Sequence, residues 1–439
     1  MSRPRVVFLV ENMSFPEDRR VRQEAAALLK SGCNVCVICP KGRESSTKSF
    51  ETVDCVEVYR YWQPWQGKSV PGYLVEYAWA TICTFFLTLW IWITKGFDVL
   101  HAANPPDLFF LIAAPFVLLG KHFVFDQHDL CPELFDSKMG EASSLRGLLF
   151  FAEACSYNLA NFVIVTNQSA YDVALQRGAK TSKIRIVRNG PDLEHFVVLP
   201  PDPRLKGTAR FLAVYAGALG GQDGVDSVVK AASYIVHSRK RRDIVFAILG
   251  DGDCLDELRA MARGLRVDEY VDFLGWVGDA TLFRYLSTAD VCLAPDPPNR
   301  INHLSTFIKV MEYMFFGKVT VSFDLLESRR SARGTAIYVK GASPQDFGDA
   351  ILRILDAPDF RARMGRDAAE LVRSSLHWGL SRSALLDGYN QLIWKKLASS
   401  ANTSEAIAGT AAGKANDMTL RMAVSPCTRA SKAADIGTR

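Results

Sequence analysis

The feature that most constrains the fold is an alternation, run through twice, of continuous apolar segments with amphipathic ones. In the first half, RVVFLVE, NVCVICP, VEVYRYW, FDVLHAA, HFVFDQH and FVIVT read as strands. Helical segments lie among them, including DRRVRQEAAALLKSG, which stops at Gly32. Strands apolar at every position are buried on both faces, and strands separated by helices pair in parallel. From Arg188 to Gly207 the pattern gives way to RNGPDLEHFVVLPPDPRLKG, rich in proline, glycine and aspartate, which is linker composition. It restarts with RFLAVYAGALGG and runs through DIVFAILGDGD, VDFLGWV and DVCLAPD, with helices between. The chain is therefore expected to be α/β, with two tandem doubly wound domains joined by a hinge. Such sheets place ligands at the carboxyl ends of their strands, here the cleft between domains. The expected division is residues 1–190, then 191–377, with a helix at about 378–397 packing back on the first domain and a disordered tail over 398–439.

Composition narrows the function. With 439 residues and 49% hydrophobic content, two or three well-formed cores are available. The net charge of +5 is mild, and no long basic stripe exists, so a nucleic-acid partner is not expected. SRKRR, at Ser238 to Arg242, reads as a solvated loop. The ten cysteines lack the paired spacing of small secreted domains, and MSRPRVVFLVEN reads as a first strand rather than a signal peptide. A reducing, cytoplasmic location is expected. Cys33, Cys36 and Cys39 have ligand-like spacing, but they sit in a buried strand as small apolar residues, and no metal is expected there.

Tyr77 to Ile93, YAWATICTFFLTLWIWI, holds no charge over seventeen residues. That is the short limit for a membrane span. It also lies between two strands of one parallel sheet, where a crossover helix is required. A span, a core helix and a membrane-surface helix are all open; Trp79, Trp90 and Trp92 favour the surface.

In the second half, HLSTFIKVMEYMFFGKVTVSFD, from His303 to Asp324, reads as a loop, a helix from about Thr306 to Phe316, a stop at Gly317 and a strand. The helix is mostly apolar, yet Lys309 and Glu312 stand in it one turn apart and share a face. As an ion pair they would return roughly a few tenths of a kcal/mol and cost more in desolvation. Ser305 is the expected N-cap, with Thr306 following. Free N–H groups and a partial positive charge at a helix start suit a diphosphate, and Lys309 adds a full charge.

RNGPDLEHF and KVMEYMFFGKVTVSFD resemble segments of retaining glycosyltransferase family 4. DRRVRQEAAALLKSG, FDVLHAANPPD, FDQHDLCPELF, TNQSAYDVAL, QDGVD and STADVCLAPDP are similar to pieces of its bacterial cell-surface polysaccharide branch. The resemblance covers residues 5 to 395. It implies the GT-B fold of two Rossmann-like domains, a nucleoside-diphosphate sugar as donor, a lipid-linked or polysaccharide acceptor, and neither metal nor cofactor. It also implies a place at the inner face of the plasma membrane. Glu312 is then the acceptor for ribose hydroxyls, and Gly217, Gly220, Gly221 and Gly250 let backbone approach phosphate.

On the first domain's side, His128 and Asp129 follow an apolar strand and are expected at its end, facing the cleft. A neutral histidine there hydrogen-bonds donor sugar or acceptor, although a structural histidine is the plain alternative. Asn12 and Ser14 follow strand one, and Arg19, Arg20 and Arg22 suit an acceptor phosphate, with exposed helix arginines as the alternative. The expected catalytic set is His128, Lys309 and Glu312. Three positions depart from the family: Leu304 for a glutamate, His303 for an acid, and Asp223 for a lysine. They keep open a catalytically inactive nucleotide-sugar-binding partner in an assembly complex; a GT-B sugar epimerase is a further rival.

Overall fold

The structure, a computed structural model, describes residues 3–42, 48–64, 70–139 and 145–394. The expectation for residues 398–439 lies outside them. Eight strands form the first sheet: β1 (Arg5–Leu9), β2 (Asn34–Pro40), β3 (Phe50–Val53), β4 (Val56–Tyr61), β5 (Val99–Ala103), β6 (His122–Gln127), β7 (Phe162–Val165) and β8 (Ile184–Ile186). Their order is β3-β4-β2-β1-β5-β6-β7-β8, all parallel except the β3–β4 pair. Six form the second: β9 (Phe211–Ala216), β10 (Ile244–Leu249), β11 (Val271–Gly275), β12 (Val291–Ala294), β13 (Thr320–Phe323) and β14 (Ala336–Val339). Their order is β11-β10-β9-β12-β13-β14, all parallel. In each sheet the order reverses at the first strand, β1 or β9, and the carboxyl ends there open a ligand crevice. The α/β expectation with two Rossmann-like domains holds; β3, β8 and β14 are strands that the apolar pattern did not reveal.

The helices that cover the sheets are α1 (Arg19–Lys30), α2 (Val70–Lys95), α3 (Phe110–Leu118), α4 (Cys131–Met139), α5 (Arg146–Leu159), α6 (Gln168–Gln176), α7 (Val225–Ser233), α8 (Leu255–Gly264), α9 (Asp279–Thr288), α10 (Arg300–Leu304), α11 (Ile308–Phe315), α12 (Leu326–Ala332), α13 (Pro344–Leu355), α14 (Pro358–Leu371) and α15 (Trp378–Tyr389). Asp18 starts α1 by accepting from the Val21 amide at 3.0 Å, so Val21, Ala25 and Leu28 face the sheet. Cys36 and Cys39 are buried on β2; burial pushes the Cys36 thiol up to about 12, and it donates to Glu57 at 3.2 Å.

α2 is longer than its sequence signature, and by length and composition it could cross a membrane. It is instead the crossover between β4 and β5, with Ala80, Thr84, Thr88 and Ile91 buried against the sheet. The three tryptophans do not share a face. Trp90 is exposed, Trp92 turns inward against Phe116 at 5.6 Å, and the Trp79 indole donates to the Trp62 carbonyl at 2.8 Å.

The chain crosses between the domains twice, and the crossings touch. The Trp378 amide donates to the Pro191 carbonyl at 2.9 Å. A β-carbon on Gly190 would stand 2.0 Å from the Leu376 carbonyl oxygen, so only glycine fits there. Beyond this contact α15 packs on α1 and β8 of the first sheet.

Candidate active site

α11 begins at Ile308, two residues later than the sequence suggested, and Ser305 is not its cap. The Ser305 hydroxyl donates backward to the Ile301 carbonyl at 2.8 Å, closing α10, a short helix in what the sequence presented as loop. Asn299 caps α10 through the Asn302 amide at 2.8 Å. Phe307 holds the cap position of α11 and offers its first turn no side-chain acceptor; its carbonyl accepts from the Val310 amide at 3.0 Å. Next to it, the Thr306 hydroxyl is buried with no protein partner.

Lys309 and Glu312 do not pair with each other. The Lys309 ammonium donates to Asp296 Oδ1 at 2.7 Å, touches the Tyr215 hydroxyl at 3.4 Å, and lies 4.8 Å from the centre of the Tyr215 ring. Asp296 lies two residues past β12; its other oxygen is buried without a partner, and burial pushes its carboxyl above the ordinary range against the pull of Lys309. Glu312 is nearly wholly buried, and its partner comes from the other domain: Arg19 Nη1 donates to Glu312 Oε1 at 2.6 Å. Burial raises the Glu312 carboxyl and Arg19 opposes the rise. Two opposite charges on one helix face are thus held by partners from elsewhere.

The glycines divide by role. Gly250 and Gly217 meet backbone to backbone, since a β-carbon on Gly250 would stand 1.8 Å from the Gly217 carbonyl oxygen. The Gly220 amide is taken by Asp223 Oδ2 at 2.9 Å, and space beside Gly221 is open.

Across the cleft, His128 follows β6 and is largely buried. Its Nε2 lies 2.6 Å from Asp126 Oδ2, and its amide donates to Asn104 Oδ1 at 2.6 Å. Asn104 also holds the Asp129 amide at 3.1 Å and carbonyl at 2.8 Å, which fixes this loop at the end of β6. Asn12 and Arg22 are exposed, while Ser14 is buried and accepts from Arg60 at 3.2 Å. Arg20 is a correction: it turns inward and cannot meet an acceptor. It forks onto Asp126 at 2.7 and 3.1 Å and donates to the Val187 carbonyl at 2.8 Å, at the entry to the linker.

Beneath His128, Glu24, His101 and Asp126 bring three potential metal-ligand atoms within 4.8 Å of one another, all buried. Arg20 already supplies the cation of this set, 2.7 Å from Asp126 and 3.2 Å from Glu24. Despite burial, Arg20 and the histidines hold Asp126 well below the carboxylate range, while burial and the Asp126 charge push Glu24 well above it. Burial lowers His101, whose Nδ1 lies 2.7 Å from the Tyr389 hydroxyl of α15. Within this cluster the closest contact of the Arg20 charge is with Asp126, and Glu24 stands second.

The unusual residues have structural partners. His303 Nδ1 accepts from the Leu326 amide at 3.3 Å, and the Leu304 carbonyl accepts from Asn167 of the other domain at 2.9 Å. Glu327 closes the same joint, accepting from Ser169 at 2.7 Å and Arg188 at 3.2 Å. Sequence reasoning missed Asp296, Asp126 and Asn104 as site-building residues. An acid inside the apolar run of β6 was a signal for Asp126, by the logic that exposed Lys309 and Glu312. It also missed Glu11, at the carboxyl end of β1, which accepts from Gln63 at 3.3 Å and which burial pushes up to about 7.

Known proteins give the same picture. Residues 18–190 match the family model described as "Glycosyl transferase 4-like domain", and residues 210–357 match "Glycosyl transferases group 1". Alpha-D-kanosaminyltransferase of Streptomyces kanamyceticus is 28% identical over 187 residues, 42% of this chain and 46% of that protein. D-inositol 3-phosphate glycosyltransferase 2 of Catenulispora acidiphila is 24% identical over 248 residues, 52% of this chain and 55% of that one. The chain thus spans about half the length of these curated relatives. Among solved structures, sucrose-phosphate synthase of Thermosynechococcus elongatus superposes with a TM-score of 0.71 at 17% identity, covering 90% of this chain and all of that one. Anabaena HepE in complex with UDP and glucose gives 0.67 at 14% identity, over 88% of this chain and all of that one. Two family models in tandem, one on each parallel sheet, and this shared architecture place the chain in the GT4-like glycosyltransferases of GT-B fold.

Proposed function

We propose that this protein is a metal-independent, retaining glycosyltransferase that moves a sugar from a nucleoside-diphosphate sugar to a hydroxyl of a lipid-linked or polysaccharide acceptor in cell-surface glycan synthesis. The observation that carries the reading is the helix face of Lys309 and Glu312, at the carboxyl end of the second sheet. Glu312 accepts from ribose hydroxyls, and Lys309, with the start of α11 and the Gly221 region, faces the diphosphate. The departing diphosphate is the difficult charge in such a reaction, and fixed donors stabilise it without reorganisation. His128, held by Asp126 and Asn104, serves the sugar or acceptor hydroxyl, with Asp129 and Asn12 on the acceptor side.

We place the acceptor domain at a membrane surface, inside the cell. Support comes from α2, where Ile82 is 52%, Phe86 62%, Trp90 48% and Ile93 70% exposed, one apolar stripe at helical spacing. Leu111, Leu118 and Leu119, on and just after neighbouring α3, are also exposed. The test is release of nucleoside diphosphate from a panel of UDP-, GDP-, ADP- and dTDP-sugars, with and without anionic vesicles. Turnover of one donor, enhanced by vesicles that the protein binds, is expected. Nucleotide binding without turnover of any donor under either condition would leave a binding partner instead.

A further inference from the structure

The phosphate end of the proposed donor site is short of positive charge. Lys309 is committed to Asp296, 2.7 Å away. Asp223 stands in the glycine loop and takes the Gly220 amide at 2.9 Å, a donor that a phosphate oxygen would use. Asp296 keeps its second oxygen buried and unpartnered. The diphosphate of the donor brings a negative charge on each phosphate to one lysine flanked by two aspartates. A second cation is needed, and Arg19 of the opposite domain is in reach.

Arg19 leaves the first turn of α1 half exposed and touches Glu312 at 2.6 Å, with Asp279 at a looser 3.7 Å. Positions 309 and 312 lie one turn apart on α11, about 5–6 Å between β-carbons. A guanidinium that meets Glu312 therefore needs only a rotamer change to meet a phosphate beside Lys309. We propose that Arg19 is a donor-binding residue that exchanges partners, Glu312 for the donor's diphosphate. The inference rests on the nucleotide-sugar reading of α11. Ribose hydroxyls then donate to Glu312, so the buried carboxylate is not left unpaired. Arg19 forks onto phosphate oxygens, geometry that guanidinium suits better than ammonium. Its neighbour Arg20 is pinned to Asp126 and the Val187 carbonyl, which anchors the backbone from which Arg19 swings.

The test uses calorimetric titration of UDP, GDP, ADP and dTDP, and of their nucleosides, into wild type, Arg19→Gln and Arg19→Lys. For the base that wild type binds, Arg19→Gln should lose at least about tenfold of the preference for diphosphate over nucleoside, with nucleoside affinity equal or tighter. Arg19→Lys should keep most of that preference, and it covers the case in which the glutamine variant folds poorly. Diphosphate and nucleoside affinities that weaken together in Arg19→Gln would make Arg19 an interdomain strut. Affinities that tighten together would make it a lock on Glu312. Either result overturns the exchange. A wild type that binds none of the diphosphates overturns the nucleotide-sugar reading itself, and the exchange with it.

Discussion

Arg19 and Arg20 are neighbours in sequence and opposites in environment. Arg20 is buried, and its charge is balanced by Asp126 within the same domain. Arg19 is half exposed, and its partner Glu312 belongs to the other domain. Buried ion pairs seldom add net stability, yet breaking one strands a charge where water cannot reach. The Arg20 pair must therefore stay closed: it fastens α1, β6 and the linker, and it orients His128. The Arg19 pair can open, because water reaches the half-exposed arginine. One helix turn thus presents a fixed charge to the fold and an exchangeable charge to the cleft.

The contrast is tested most severely by removing one charge of the closed pair. Asp126→Asn removes the carboxylate onto which Arg20 forks, leaving only Glu24 beside it at 3.2 Å, and should cost about 3–5 kcal/mol in urea unfolding. Glu24→Gln, one turn along α1, replaces a carboxyl whose ionised form burial and the Asp126 charge already disfavour, and should shift stability by less than about 1 kcal/mol. Equal losses in the two variants would mean that the interior charge is not localised on Asp126.

Glu11 provides a smaller, pH-dependent effect. Burial raises its pKa from 4.5 to about 7, so the folded chain holds this proton where the unfolded chain has released it. The contribution is fully present below pH 4.5 and fades as pH rises through 7. Glu11→Gln should therefore gain on wild type by on the order of 2 kcal/mol between pH 4 and pH 8, read from urea midpoints. A constant difference across that range would remove the burial argument.

His128 sits between the two regions, pinned by the closed pair yet at the cleft. His128→Ala should lower turnover at least about tenfold, near 1.4 kcal/mol of barrier, with melting temperature little changed. Unchanged turnover would assign His128 to the interior alone.

The sequence exposed one half of each pairing and hid the other. Continuous apolar runs revealed the central strands because burial on both faces leaves few polar positions, His101 and Asp126 among them. β3 escaped because it is four residues on an antiparallel edge, with burial alternating along it. α10 escaped because five residues capped by Asn299 look like loop, and the Ser305 hydroxyl that suggested a cap serves the turn behind it. Lys309 and Glu312 were legible because charge is anomalous in an apolar helix. Their partners were not: Arg19 lies 293 positions from Glu312, and only the folded cleft brings them together.

The central claim is that the face of α11 is a ribose-diphosphate site, with Glu312 on the ribose. Its most direct test is calorimetric titration of the nucleoside diphosphate into wild type and Glu312→Gln at matched stability. The account predicts affinity weakened by about tenfold or more, a loss of hydrogen-bond size, with the melting temperature nearly unchanged. Equal affinity in the two proteins would contradict it.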